Sequence, residues 1–247
     1  MGTRVAIVGA TGRMGDLVTR LVEREDDLEL AVGLGSADSI DGISGADLVV
    51  DVTQPSASPG VVDAALDHGI PVLVGTSGWT AERIAKLRTR VADDAQPGVL
   101  IVPNFSLGSV LATAFAAVAA PFFDSIEIVE AHHAGKADSP SGTAIRTAEL
   151  IGRARVDAGP VASPHADQRA RGQQVGSVPV HSLRMSGVLA RQTVIFGGQG
   201  ESLRLEHDTI SDAAYEAGIL LALRATPGIR GVVVGLDALL DLGIAPR

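Results

Sequence analysis

The beginning of the chain limits its fold most: Thr3-Arg-Val-Ala-Ile-Val is an apolar, β-branched run that opens into Gly9-Ala-Thr-Gly12-Arg-Met-Gly15 and then into an amphipathic stretch, 16–24. Strand, glycine turn and helix in that order form the start of a dinucleotide-binding βα unit, here with GxxGxxG spacing in place of GxGxxG. Gly9 permits the tight turn, Gly12 lets a pyrophosphate approach the backbone, and Gly15 allows the helix to pack close to the strand. A tight βα turn that holds no ligand would use the same glycines, so the strand before them and the helix after them carry the reading.

The alternation continues. Residues 28–34 and 47–52 read as strands, 61–68 as a helix ended by Gly69, 71–75 as a strand, 80–90 as a helix capped by Thr80, and 98–102 as a strand. Such a rhythm builds a parallel sheet with right-handed crossovers, and its ligands bind beyond the carboxyl ends of the strands. Those ends open into 9–15, Thr53-Gln-Pro-Ser, Gly75-Thr76-Ser77-Gly78 and Pro103-Asn104-Phe105-Ser106. Ordinary turns select the same small and hydrogen-bonding residues.

From Ser125 the pattern changes to strands that pair with near neighbours, at 125–130, 180–185, 189–196 and 201–207, separated by glycine-containing turns. The fold class is therefore α/β: a Rossmann-type parallel sheet with an inserted α+β domain of mixed or antiparallel sheet. The expected boundaries are a dinucleotide-binding domain, 1–105, completed by 215–247, and a substrate-binding and oligomerisation domain, 106–214. Residues 156–177 show no sustained period and read as a mobile loop. The uncharged stretch 105–123 reaches the length of about 18 residues that can cross a membrane. Alanine, serine and glycine dominate it and no basic cluster or aromatic belt flanks it, so it reads as a buried connecting helix and no membrane is expected as a partner.

The densest chemistry is Glu130-Ala-His132-His133-Ala-Gly-Lys136-Ala-Asp138-Ser-Pro140-Ser141-Gly142-Thr143-Ala. It follows a strand and opens a helix, so its imidazoles and ammonium sit on a loop whose far end offers unpaired helix N–H groups. With the Ser141 and Thr143 hydroxyls these suit a carboxylate. The loop combines proton delivery with anion binding; the bland alternative is a capped helix after a surface loop with incidental histidines.

Composition removes other classes. A net charge of −9 argues against nucleic acid, which needs a basic face. The absence of cysteine excludes disulfides, thiolate metal sites and a cysteine nucleophile, and no metal site is expected. It suits a reducing cytoplasm, the expected location, without requiring it.

Taken together, Gly9–Gly15, Gly75–Gly78, Pro103–Ser106 and the 130–144 motif closely resemble the 4-hydroxy-tetrahydrodipicolinate (dihydrodipicolinate) reductase family, along nearly the whole chain. The resemblance implies a Rossmann domain interrupted by a substrate domain whose open sheet builds a homotetramer, with NADPH and/or NADH as cofactor and a small dicarboxylate as substrate. It implies His132 as general acid/base, Lys136 as proton donor, and His133, Ser141, Gly142 and Thr143 at the substrate carboxylates. Cofactor contacts fall on Gly9, Ala10, Thr11, Gly12, Arg13 and Met14, on Gly75, Thr76 and Ser77, and on Val102, Pro103, Asn104 and Phe105. The implied reaction adds a hydride to one carbon and a proton to its neighbour, which is work for a positioned acid facing a nicotinamide. Arg184 and Arg191 are further cations that could serve the carboxylates, or could be solvated or paired.

Some positions depart from the pattern. NAD-specific sites carry an acid at the end of the second strand, where this chain reads Ala31-Val-Gly33-Leu-Gly35-Ser36. Arg13 and Ser36 could hold a 2′-phosphate there, so NADPH is expected to serve at least as well as NADH. Arg191 stands where a family histidine is expected and Asp212 where an arginine is common. Two other functions are weighed: a reductase of a different small cyclic or dicarboxylic acid, and a non-catalytic NADP-binding sensor. The sensor has no need for His132, His133 and Lys136 in one loop; acylating semialdehyde dehydrogenases need the missing cysteine.

Overall fold

Val5, Ala6 and Ile7 have no solvent exposure because β1 (Thr3–Val8) lies inside a parallel sheet, between β2 (Leu28–Leu34) and β3 (Leu48–Asp51). In this computed structural model, which describes residues 2–92 and 96–242, the chain then runs through α1 (Arg13–Arg24), α2 (Ser58–Asp67), β4 (Val72–Val74), α3 (Ala81–Arg90) and β5 (Val99–Ile101). Apolar runs without alternation, such as Leu48-Val-Val and Val72-Leu-Val, are what a sheet buried on both faces requires.

The second unit follows with α4 (Leu107–Ala119), β6 (Ser125–His132), α5 (Gly142–Ala154), β7 (Gln173–Val175), β8 (Val178–Arg184), β9 (Ala190–Gly198) and β10 (Glu201–Thr209). The chain returns to the first sheet through α6 (Glu216–Ala225) and β11 (Val232–Val234), which pairs in parallel with β5. Its two compact units are Met1–Phe105 with Tyr215–Arg247, and Ser106–Ala214.

The first sheet has the order β11-β5-β4-β3-β1-β2, all parallel. β2 lies on one side of β1 and the later strands on the other, so the winding direction reverses between β1 and β3. In sheets of this kind, ligands bind in the crevice at that reversal.

The second sheet, β10-β9-β6-β8-β7, is mixed: β6 pairs antiparallel with β9 and parallel with β8. Ile126, Ile128, Val180, Val194 and Phe196 fill one face and pack with Ala116, Ala144, Ala148 and Ile151. Leu183 and Met185 remain about half exposed. The stretch 105–123 forms α4 and a short 3-10 turn, and no helix among the described residues is long and apolar enough to cross a membrane. Part of 156–177, expected to be irregular throughout, is the strand β7, paired antiparallel with β8. Gly172 and Gly176, both at positive φ, close it after three residues, too few for alternation to register in sequence.

Candidate active site

Along β6 every second side chain turns toward the helices: Ile126, Ile128, then Glu130, which is fully buried, and His132 at the strand's end. A charge in that row needs compensation, and the parallel register with β8 supplies it by setting Ser182 beside Glu130 and Arg184 beside His132. Arg184 Nη1 and Nη2 donate to Glu130 Oε2 and Oε1, each at 2.9 Å, in a bidentate fork. The same carboxylate accepts from His132 Nδ1 at 2.6 Å and from the Ser141 backbone N–H at 3.2 Å. Glu130 therefore joins β6, β8, the histidine ring and the start of α5.

Burial works to raise the Glu130 pKa, but hydrogen bonds from Arg184, Ser182 and His132 outweigh it and hold the group below the ordinary carboxylate value. An ionised carboxylate only accepts, so His132 Nδ1 must donate, and Nε2 becomes the atom that can take or give a proton. The His132 pKa is lowered, first by burial and further by the charges of Lys136 and Arg184, against the opposing pull of Glu130.

Lys136 follows in a turn closed by its own N–H on the His133 carbonyl at 3.1 Å. Its ammonium donates to Asp138 Oδ1 at 2.6 Å, which holds the Asp138 carboxyl below its ordinary value. Arg184 Nη2 binds the Asp138 carbonyl at 2.6 Å, bracing the loop from the other strand. His133 is exposed. At the helix start, Ser141 is buried and its hydroxyl accepts from the Ala144 N–H, so it caps α5 and does not face solvent. Gly142 and Thr143 form the outer part of that first turn.

Of the two candidate arginines, only Arg184 joins this cluster. Arg191 stands opposite Ala131, in the row facing away from Glu130, and is paired with Asp208. Glu130 was not among the expected site residues; the signal for it was an acid continuing the buried row of Ile126 and Ile128.

In the first unit the glycine loop is packed so closely that side chains at Gly9 and Gly15 would clash with backbone. Gly9 has φ +93°, and a Cβ on it would stand 2.6 Å from the Val52 carbonyl oxygen. A Cβ on Gly15 would meet the Gly9 carbonyl oxygen at 2.1 Å. Thr11, Gly12 and Arg13 are exposed, as are Ser77 and Pro103, whereas Thr76, Val102 and Phe105 are buried and offer only backbone to a ligand. The Phe105 ring lies where a Gly75 side chain would be, 2.7 Å from an added Cβ. Beyond β2, the Asp38 carboxylate folds back to accept from Gly35 N–H at 2.7 Å. An added Gly35 Cβ would be 3.5 Å from that carboxylate and 3.3 Å from Thr11, so an acid does reach the loop after the second strand.

Residues 3–105 match the family model for the N-terminus of dihydrodipicolinate reductase, and residues 108–240 match the model for its C-terminus. The chain is 62% identical over 242 residues to the 4-hydroxy-tetrahydrodipicolinate reductase of Clavibacter sepedonicus, covering 98% of this chain and 87% of that one. It is 46% identical to the Streptomyces griseus enzyme of the same name, over 97% of this chain and 98% of that one. Among solved structures, dipicolinate-bound dihydrodipicolinate reductase from Paenisporosarcina sp. TG-14 superposes with a TM-score of 0.80 at 29% identity, covering 97% of this chain and all of that one. A myo-inositol dehydrogenase from Corynebacterium glutamicum, at TM-score 0.58 and 15% identity over 94% of this chain and 90% of that one, shares the fold. The chain belongs to the dihydrodipicolinate reductase family.

Proposed function

We propose that this chain reduces 4-hydroxy-tetrahydrodipicolinate to tetrahydrodipicolinate on the diaminopimelate route to lysine, with His132 as general acid/base and Lys136 as proton donor. The observation that carries the residue assignment is the buried Glu130 carboxylate, which fixes His132 through Nδ1 and leaves Nε2 for the proton. A reduced nicotinamide dinucleotide supplies the hydride when bound. Gly9–Met14, Gly75–Ser77 and Val102–Phe105 would hold it, through backbone groups at the buried positions. His133, Gly142 and Thr143 bind the substrate's carboxylates at the amino end of α5, where the first-turn N–H groups and the helix dipole favour an anion. Ser141 serves the same end by capping that turn.

The test is loss of NADPH absorbance on adding the condensation product of pyruvate and aspartate semialdehyde. Folded protein that gives no turnover would support the sensor reading. His132→Ala and Lys136→Ala should each lower turnover by about 10²–10⁴ with NADPH affinity nearly unchanged. An equal loss of cofactor affinity would make the loop structural.

NADPH is used at least as well as NADH, because Arg13 and Ser36 can hold a 2′-phosphate and the Asp38 carboxylate that reaches this loop is occupied by the Gly35 N–H. A large NADH preference in direct titration overturns that choice. The face of the second sheet carrying Leu183 and Met185 is the assembly face of a homotetramer; a monomer in analytical ultracentrifugation at micromolar concentration refutes it.

A further inference from the structure

One fully buried carboxylate takes no part in this proton chemistry. Asp51 ends β3, at the reversal in the winding of the parallel sheet. Its Oδ1 accepts from Thr53 N–H at 3.1 Å, Thr53 Oγ1 at 2.6 Å and Thr76 Oγ1 at 2.9 Å. Its Oδ2 accepts from Ser58 Oγ, which itself accepts from Trp79 Nε1 at 2.9 Å. These donors come from the loop after β3, the start of α2 and the loop after β4. The backbone repeats the tie, with Gly75 N–H on the Asp51 carbonyl at 2.8 Å. Outside it, Arg83 Nη1 bridges the Pro55 and Gly78 carbonyls at 3.1 and 3.0 Å.

The sheet itself does not call for a charge there. In the same register row the neighbouring strands place Val8, Val74 and Ile101. Burying a carboxylate among neutral donors is unfavourable relative to an aliphatic side chain of similar size, so its use lies in what it orients. It turns the Thr76 hydroxyl inward and holds two loops in one mutual setting. The loop after β3 lies beside Gly9, whose added Cβ would touch the Val52 carbonyl oxygen, and the Gly75 tie to Asp51 sets the loop after β4 against it.

We propose that Asp51 is a positioning residue for the dinucleotide, fixing the 75–77 loop so that its backbone groups face the bound cofactor. The proposal rests on the reading of the crevice at that reversal as the cofactor site. The test is titration of purified protein with NADPH, followed by fluorescence, for wild type, Asp51→Asn, Thr76→Val and Thr76→Ser, together with steady-state kinetics and thermal unfolding.

Thr76→Val removes one donor to Asp51 and should weaken NADPH binding about 5–10-fold, the effect of one buried hydrogen bond. Thr76→Ser keeps the hydroxyl and should restore affinity to within about twofold, and Asp51→Asn should be weakened more than Thr76→Val. In steady-state kinetics the loss for Thr76→Val should fall on the NADPH KM more than on the dicarboxylate KM. If Thr76→Val and Thr76→Ser both bind NADPH as wild type does, the assignment is wrong. It is also wrong if Thr76→Val lowers the unfolding temperature and raises both KM values together, since that is a structural pin. A wild-type chain that binds no NADPH overturns the cofactor reading and this assignment with it, and the two failures are told apart by the wild-type titration.

Discussion

Replacing Glu130 by glutamine keeps the side chain's shape while removing its charge and one acceptor. Oε2 faces Arg184 Nη1 at 2.9 Å and His132 Nδ1 at 2.6 Å, and Oε1 faces Arg184 Nη2 at 2.9 Å and the Ser141 N–H at 3.2 Å. Whichever way the new amide turns, its NH2 group meets two donors. Removing one partner of a buried ion pair costs about 3–5 kcal/mol. At about 2–4 °C per kcal/mol for a chain of this size, the unfolding midpoint should fall by roughly 6–20 °C.

Catalysis should suffer separately, because His132 loses the ionised acceptor that fixes its tautomer and its orientation. Turnover should drop by about 10²–10⁴, the range for a misplaced general acid. Glu130 is also the group that opposes the effect of burial on His132. Without it the imidazole holds its proton less well, so the pH at which activity falls on the alkaline side moves lower. The assay is steady-state kinetics across pH, with thermal unfolding, for wild type, Glu130→Gln, His132→Ala and the double variant. If Glu130 acts through His132, the double variant should be within about threefold of His132→Ala. A Glu130→Gln enzyme with turnover near wild type at every pH, or a full multiplicative loss in the double variant, would refute the reasoning.

For the wild-type enzyme, burial depresses the His132 pKa, so kcat/KM, which reports the free enzyme, should fall as pH rises through a value below the ordinary histidine range. A bound dianion favours the imidazolium, so the corresponding limb in kcat should lie at higher pH; identical limbs would show that another group gives the proton. Gly15→Ala places a methyl 2.1 Å from the Gly9 carbonyl oxygen, and NADPH affinity should fall at least about tenfold as the turn opens; unchanged affinity by titration would exclude the loop as the diphosphate site. Asp38→Ala removes a negative charge beside Thr11 and should move the NADPH-to-NADH affinity ratio about 2–5-fold toward NADPH, with no change telling against adenosine ribose binding there. Thr143→Val should raise the dicarboxylate KM about 5–20-fold with kcat little changed, as expected for a ground-state contact; a fall in kcat alone would point to an effect on His132 placement.

The first sheet was legible because most of its strands are continuous apolar runs and two of its helices carry recognisable caps, Thr80 at the start of α3 and Gly69 just past the end of α2. In the second unit the strands could be read but not their partners. β6 lies between β8 and β9, in parallel with one and antiparallel with the other, and no local signal encodes that register. For that reason Arg184 and Arg191 looked equivalent in sequence, although one braces the acid beside His132 and the other lies in the opposite row. Motif spacing singled out His132 and Lys136, but the carboxylate that holds the His132 ring is itself held non-locally: Arg184 is 54 positions from Glu130. Similarly, Thr76, Val102 and Phe105 stand in loops that read as ligand-facing, while their side chains are drawn into the sheet's edge.

A chain of net charge −9 must still attract a dicarboxylate, and the pairing around β6 shows how the cluster prepares for it. Glu130 is balanced by Arg184, and Lys136 by Asp138, so with His132 neutral these five residues carry no net charge. The two balancing pairs are not equivalent. Glu130 is completely buried, whereas the Asp138 side chain is 61% exposed and its ion pair is the weakly held kind that solvent and a competing anion can displace. Under the proposed roles, an incoming carboxylate would displace Asp138 from the Lys136 ammonium more readily than Glu130 from Arg184. Under those roles, such an exchange would bring negative charge toward His132 and favour its protonation at Nε2. Glu130 is what keeps the imidazole within reach of that proton, because it opposes the effect of burial on the His132 pKa.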